Sequence, residues 1–164
     1  MDHELASFVE RISRMLAAGG MPPMAGRIWG YLLVCDPPHQ TAAQLGEALG
    51  ASRGSISGMI RLLEPPGLVQ RTTRPGDRTE YLSVPPGSIV AILEARLPQT
   101  VAWRRLADEG LELLADRPPE ARSRLEEVRD VYLHMERELP AMLERFKAER
   151  AARAAVPSVP AGKD

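Results

Sequence analysis

Between residues 41 and 84 the chain is cut so often by turn-forming residues that only short elements fit. Thr41-Ala42-Ala43-Gln44 sets a hydroxyl three residues ahead of a glutamine, the pattern in which each side chain satisfies a free N–H at the helix start. It predicts a helix from Ala42 to Leu49, closed by Gly50. Ser52 caps the next helix, which runs to about Glu64 before Pro65-Pro66-Gly67 breaks it. Residues 68–73 and 79–84 read as strands. Arg74-Pro75-Gly76-Asp77 joins them, with proline and glycine where a type II turn wants them. The order is helix, tight turn, helix, hairpin.

The flanks are helical. Leu5, Phe8, Val9, Ile12 and Leu16 make one amphipathic stripe, stopped by Gly19-Gly20. The stretch 23–35 is apolar on nearly every side, which predicts a central buried helix ending at Asp36-Pro37-Pro38. From Ser88 one helical stretch runs to Arg117, with Pro98 inside it as a kink or break. A second starts at Pro118-Pro119. Its Leu125, Val128, Tyr132, Met135, Leu139, Met142 and Phe146 step by alternate threes and fours, the seam of a helix packed along another helix. Pro140 costs that helix about 3 kcal/mol, so a bend is expected, not loss of the helix. Residues 154–164 read as a disordered tail. The expected fold is mainly α with a small β-hairpin wing. An N-terminal helix (1–20) and a C-terminal helical region (86–153) flank the helix–turn–helix and hairpin (21–85).

Charge narrows the function. The 164 residues sum to −1, yet Arg53, Arg61, Arg71, Arg74 and Arg78 face only Glu64 and Asp77 over residues 53–78, a local +3. A basic island on an otherwise acidic chain suits a local anionic partner. On a helical wheel Ile56, Met59, Ile60 and Leu63 share one side, while Arg53, Gly54, Ser57, Gly58 and Arg61 share the other. Glycines inside a helix cost about 1 kcal/mol each against alanine, so Gly54 and Gly58 point to close approach, either of a large flat partner or of another helix with the arginines left in solvent. The helix start at Ser52–Ser55 offers free N–H groups to phosphate. Arginine and serine on such a helix suit a DNA major groove, and an arginine at the hairpin tip suits a narrow minor groove.

Other classes are excluded or disfavoured. The longest uncharged apolar run, 28–35, is far short of the roughly 18 residues of a membrane span. The opening Met1-Asp2-His3-Glu4 is unlike a secretory signal, so a soluble cytoplasmic protein is expected. His3, His39 and His134 lack metal-ligand spacing, and neither G-x-S-x-G nor a phosphate-cradling glycine loop occurs. No metal, cofactor or catalysis is expected. The single cysteine, Cys35, ends an apolar helix and reads as buried and inert, not as a redox sensor.

Several runs together resemble the GbsR-type branch of the MarR family of winged helix-turn-helix transcriptional regulators. They are Gly26-Arg27-Ile28-Trp29-Gly30-Tyr31-Leu32-Leu33, Asp36-Pro37-Pro38, Ala51-Ser52-Arg53-Gly54-Ser55-Ile56-Ser57-Gly58, Gly67-Leu68-Val69 and Arg74-Pro75-Gly76-Asp77-Arg78. The resemblance covers roughly residues 20–85. It implies a homodimer joined through the N-terminal and C-terminal helices, bound to double-stranded DNA at a pseudo-palindromic operator. The protein would act as a repressor relieved by a small effector. Ser52, Ser55, Arg71 and Arg74 would contact phosphate. Arg53, Ser57 and Arg61 would read base edges, Arg78 would enter the minor groove, and Thr41 and Gly54 complete the expected DNA-binding set. Some members of that branch sense quaternary ammonium compounds, which need an aromatic cage; Trp29, Trp103 and Tyr132 are the aromatic residues available for one. A winged helix used as a protein-interaction module, without sequence-specific DNA binding, is the alternative.

Overall fold

Asp2 starts the first helix. Its carboxylate accepts from the Leu5 N–H at 2.8 Å and opens α1 (His3–Ala18) in the computed structural model, which describes residues 1–155. Pro22-Pro23 opens α2 (Pro23–Leu32), and the two helices meet backbone to backbone. A Cβ built on Gly26 would lie 2.7 Å from the Ser13 Cα, and one on Gly30 would lie 3.2 Å from the Ile12 side chain. Ser13 donates to the Pro23 carbonyl at 2.8 Å across this contact. The close approach explains why the stripe of α1 divides: Val9 is buried, while Leu5 and Phe8 are exposed.

The expected end of α2 at Cys35 is corrected to Leu32. The last turn tightens, with the Val34 N–H donating to Tyr31 O at 3.0 Å ahead of the prolines. Next come α3 (Ala42–Leu49) and α4 (Arg53–Leu63), separated by Gly50 at φ +62°, a left-handed position that glycine takes without strain. The hairpin pairs β1 (Gln70–Thr73) with β2 (Glu80–Ser83) in antiparallel register, Arg71 opposite Leu82 and Thr72 opposite Tyr81. Both strands are shorter than expected. Leu68 and Val69 spend their N–H groups on the Leu63 carbonyl, turning the chain off the end of α4 before pairing begins.

Two units result, Met1–Ile92 and the chain from Leu93 onward. The core of the first gathers Ala25, Ile28 and Leu32 of α2, Leu45, Ile56, Ile60, Leu63, Leu68, Val69 and Leu82. Its large aliphatic side chains each contribute about 1.5–3 kcal/mol of burial. α2 is central, as its composition predicts.

The second unit is a helical hairpin of the remainder of α5 (Ser88–Leu113) and α6 (Pro119–Ala155). α5 passes through Pro98 unbroken. Gly110 admits Leu125 so closely that a Cβ would lie 2.7 Å from its Cδ1, and Arg104 bridges Asp108 and Glu136 at 2.7 and 2.6 Å. The seam of α6 needs one correction. Leu143 is 4% exposed, while Met142 and Phe146 are 44% and 48% exposed. A strict seven-residue repeat drifts about 20° per heptad around an α-helix, which carries Met142 to the edge of the packed face by the far end and leaves Leu143 facing it. Of the expected tail, residues 154 and 155 close α6 and 156–164 lie outside the described residues. No described helix is long and apolar enough to cross a membrane.

Candidate nucleic-acid interface

Two caps set the geometry of the helix–turn–helix. Thr41 Oγ1 accepts from the Gln44 N–H at 3.2 Å, and Gln44 Oε1 accepts from the Thr41 N–H at 2.8 Å. Ser52 Oγ accepts from the Ser55 N–H at 3.2 Å. With Ile56, Ile60 and Leu63 fixed in the core, the opposite face of α4 points outward. Arg53, Gly54 and Arg61 are exposed, and Ser55, Ser57 and Gly58 are half-buried. Nothing lies within 4 Å of where a Cβ would stand on Gly54 or Gly58. The glycines leave open surface and are not consumed by packing within the unit.

The wing is tied to α3 by a backbone bridge. Gln40 and Leu82 exchange N–H···O bonds of 2.9 and 2.8 Å. Its turn closes with the Asp77 N–H on Arg74 O at 3.0 Å and Gly76 at φ +80°, the geometry the Pro-Gly pair predicts. Asp77 Oδ1 accepts from the Thr79 N–H at 2.8 Å, and the hydrogen bonds from Thr79 hold its carboxyl below the usual range.

The arginines of the island differ in freedom. Arg71 binds Glu64 with two nitrogens (2.6 and 3.2 Å) and Glu80 with a third (2.6 Å), and these hydrogen bonds, Glu64 first, raise its pKa further. Arg74 lies over the Tyr81 ring, 4.7 Å from its centroid, and reaches His39. Arg53, Arg61 and Arg78 enter no ion pair or side-chain hydrogen bond among the described residues. The helix and wing therefore present three unneutralised guanidinium groups.

The family model described as MarR family matches residues 32–81, and the model described as MmpR5-like MarR family transcriptional regulator matches residues 87–149. The HTH-type transcriptional regulator MmpR5 of Mycobacterium tuberculosis is 36% identical over 143 residues, 87% of each chain. The chain belongs to the MarR family. It is an MmpR5-like, winged-helix, DNA-binding transcriptional regulator. A crystal structure of a transcriptional regulator, 35% identical, covers 88% of this chain and 99% of its own at a TM-score of 0.71. The putative HTH-type transcriptional regulator YvaV of Bacillus subtilis is 30% identical over 77 residues, 47% of this chain and 43% of its own.

In this MarR-family chain the aromatic residues are divided. Trp103 and Tyr132 stack nearly parallel, centroids 5.8 Å apart at 13°, and line a cavity of about 320 Å³ with Arg96, Thr100 and Met135. Trp29 belongs to the first unit, half-buried against its core. Cys35 is half-buried, and burial pushes its thiol pKa up. Sequence reasoning overlooked Glu64, Glu80, His39 and Tyr81 as partners of the wing arginines. Only strand alternation hinted at one of them, by setting Tyr81 on the face opposite Leu82.

Proposed function

We propose that this regulator reads a pseudo-palindromic operator as a homodimer, with α4 in the major groove and the hairpin as a minor-groove wing. The observation that carries the reading is the common exposure of Arg53, Arg61 and Arg78 without anionic partners among the described residues, beside two glycines whose Cβ positions meet nothing. Arg53, Ser57 and Arg61 read base edges, Gly54 lets the backbone approach, and Arg78 enters the minor groove. Thr41, Ser52 and Ser55 lie at helix starts and contact phosphate. Arg71 braces the wing to α4 through Glu64, and its phosphate contact is secondary. Titrating Arg53→Ala against a selected duplex and a random one tests this. Loss confined to the selected duplex supports base reading; equal loss on both makes Arg53 a phosphate contact; no loss removes it from the interface.

The dimer would form through α1 and the α5–α6 hairpin, whose Leu5, Phe8, Met15, Met142 and Phe146 are exposed apolar side chains. A concentration-independent monomer mass in sedimentation overturns it. DNA release by a small effector, and hence repression, is our reading of the cavity beside Trp103 and Tyr132. Kinship with the GbsR-type branch rests on the motifs of residues 20–85. The relatives are regulators, which supports regulation over catalysis, and we read the protein as cytoplasmic because a regulator of this kind must reach DNA.

A further inference from the structure

His39 and Arg74 stand 35 residues apart in sequence and meet beside the wing. The bridge between Gln40 and Leu82 brings them there, because it locks the residue after His39 to the residue after Tyr81. The Arg74 guanidinium lies 4.7 Å from the Tyr81 ring centroid, and its Nη2 meets His39 Nε2. The imidazole stands edge-on to the same ring, centroids 5.2 Å apart at 87°. The Tyr81 hydroxyl donates to Asp77 Oδ2 at 3.2 Å, tying the ring back to the turn.

The chemistry of this contact is one-sided. A guanidinium only donates, so His39 must offer the lone pair of a neutral imidazole at Nε2. An imidazolium would present an N–H and a like charge instead. The charged or titratable groups facing His39 are Arg74 from the wing turn and Tyr81 from β2, with Asp77 behind the tyrosine. Asp36 shares the loop of His39.

We propose that His39 and Tyr81 are positioning residues for DNA recognition, holding Arg74 in one orientation beside the wing while His39 is neutral and releasing it when His39 takes up a proton. This rests on the regulator reading above. A fixed cation adds geometry to the wing, whereas a released one adds charge without direction. Discrimination between duplexes therefore falls on protonation: binding to the selected duplex weakens, while binding to a scrambled one does not.

The test uses the full chain and two duplexes, one it selects from a random pool and one scrambled, titrated by fluorescence anisotropy from about pH 8 to about pH 5, the range in which imidazole changes charge. Wild-type discrimination is expected to fall as pH falls. His39→Gln keeps a neutral acceptor throughout, and its discrimination is expected to stay flat. Tyr81→Leu is expected to weaken selected-duplex binding about two- to tenfold, the ordering cost of one long side chain. Tyr81→Phe keeps the ring and is expected to bind as wild type. In an Arg74→Ala background, Tyr81→Leu is expected to change nothing. A pH-independent wild type, a His39→Gln that follows the wild-type profile, or a Tyr81→Phe as weak as Tyr81→Leu overturns the inference alone. A wild-type chain that selects no duplex overturns the regulator reading, and this inference with it.

Discussion

Gly26 packs so tightly on Ser13 that a single added methyl would stand 2.7 Å from the serine Cα. Backbone cannot swing aside as a side chain does, so α1 must shift off α2 to admit it. Gly26→Ala is expected to cost about 1–3 kcal/mol of stability, the usual penalty for overpacking a close contact. Gly30→Ala meets the Ile12 side chain at 3.2 Å and is expected to cost less. Denaturant titration of both variants measures the difference.

Gly58 presents the opposite case. Its Cβ would meet nothing, and alanine is the better helix former by about 1 kcal/mol. Gly58→Ala is expected to raise the melting temperature. If DNA approaches this face, the same change weakens binding by roughly tenfold, equivalent to about 1.4 kcal/mol. A variant that is more stable and binds equally well would show that nothing packs there.

These two glycines illustrate what the sequence made legible. The helix of Gly58 and its two faces could be read from spacing, and the helix of Gly26 from its all-round apolar composition, but which glycine was packed and which open could not, because that depends on Ser13 arriving from another helix. The caps at Thr41 and Ser52 and the turn at Gly76 are local chemistry and were readable in full. The end of α2 moved by three residues, the start of β1 by two and each end of β2 by one; at β1 the hydrogen bonds to the Leu63 carbonyl decided it. In sequence the wing arginines differed in expected role, Arg71 and Arg74 at phosphate and Arg78 in the minor groove, but all three looked free of partners. Glu64, Glu80, His39 and Tyr81 make them different, and proximity across the fold leaves no mark on spacing.

Arg71 and Arg78 should therefore separate by salt dependence. Arg78→Ala removes an uncommitted cation and is expected to flatten the log–log salt slope by about 0.9 for each phosphate that Arg78 neutralises. Arg71→Ala is expected to leave that slope almost unchanged. It should cost no more than about 1 kcal/mol of stability, because its ion pairs are part-exposed and screened.

Cys35 should be a slow nucleophile. Burial raises its thiol pKa, so the folded chain holds less thiolate at any neutral pH than an unfolded one. Iodoacetamide labelling at about pH 8, near the ordinary thiol range, is expected to be slower in native buffer than in denaturing urea. Equal rates would mean that the side chain is not shielded.

The most direct measurement is the salt dependence of wild-type binding to a duplex the protein selects for itself, with the Arg53→Ala, Arg61→Ala and Arg78→Ala triple variant alongside. A steep negative slope of about −0.9 per neutralised phosphate, strongly reduced in the triple variant, is the expected result. A flat wild-type slope, or a steep slope that the three substitutions leave untouched, would contradict a DNA-facing surface made of α4 and the wing.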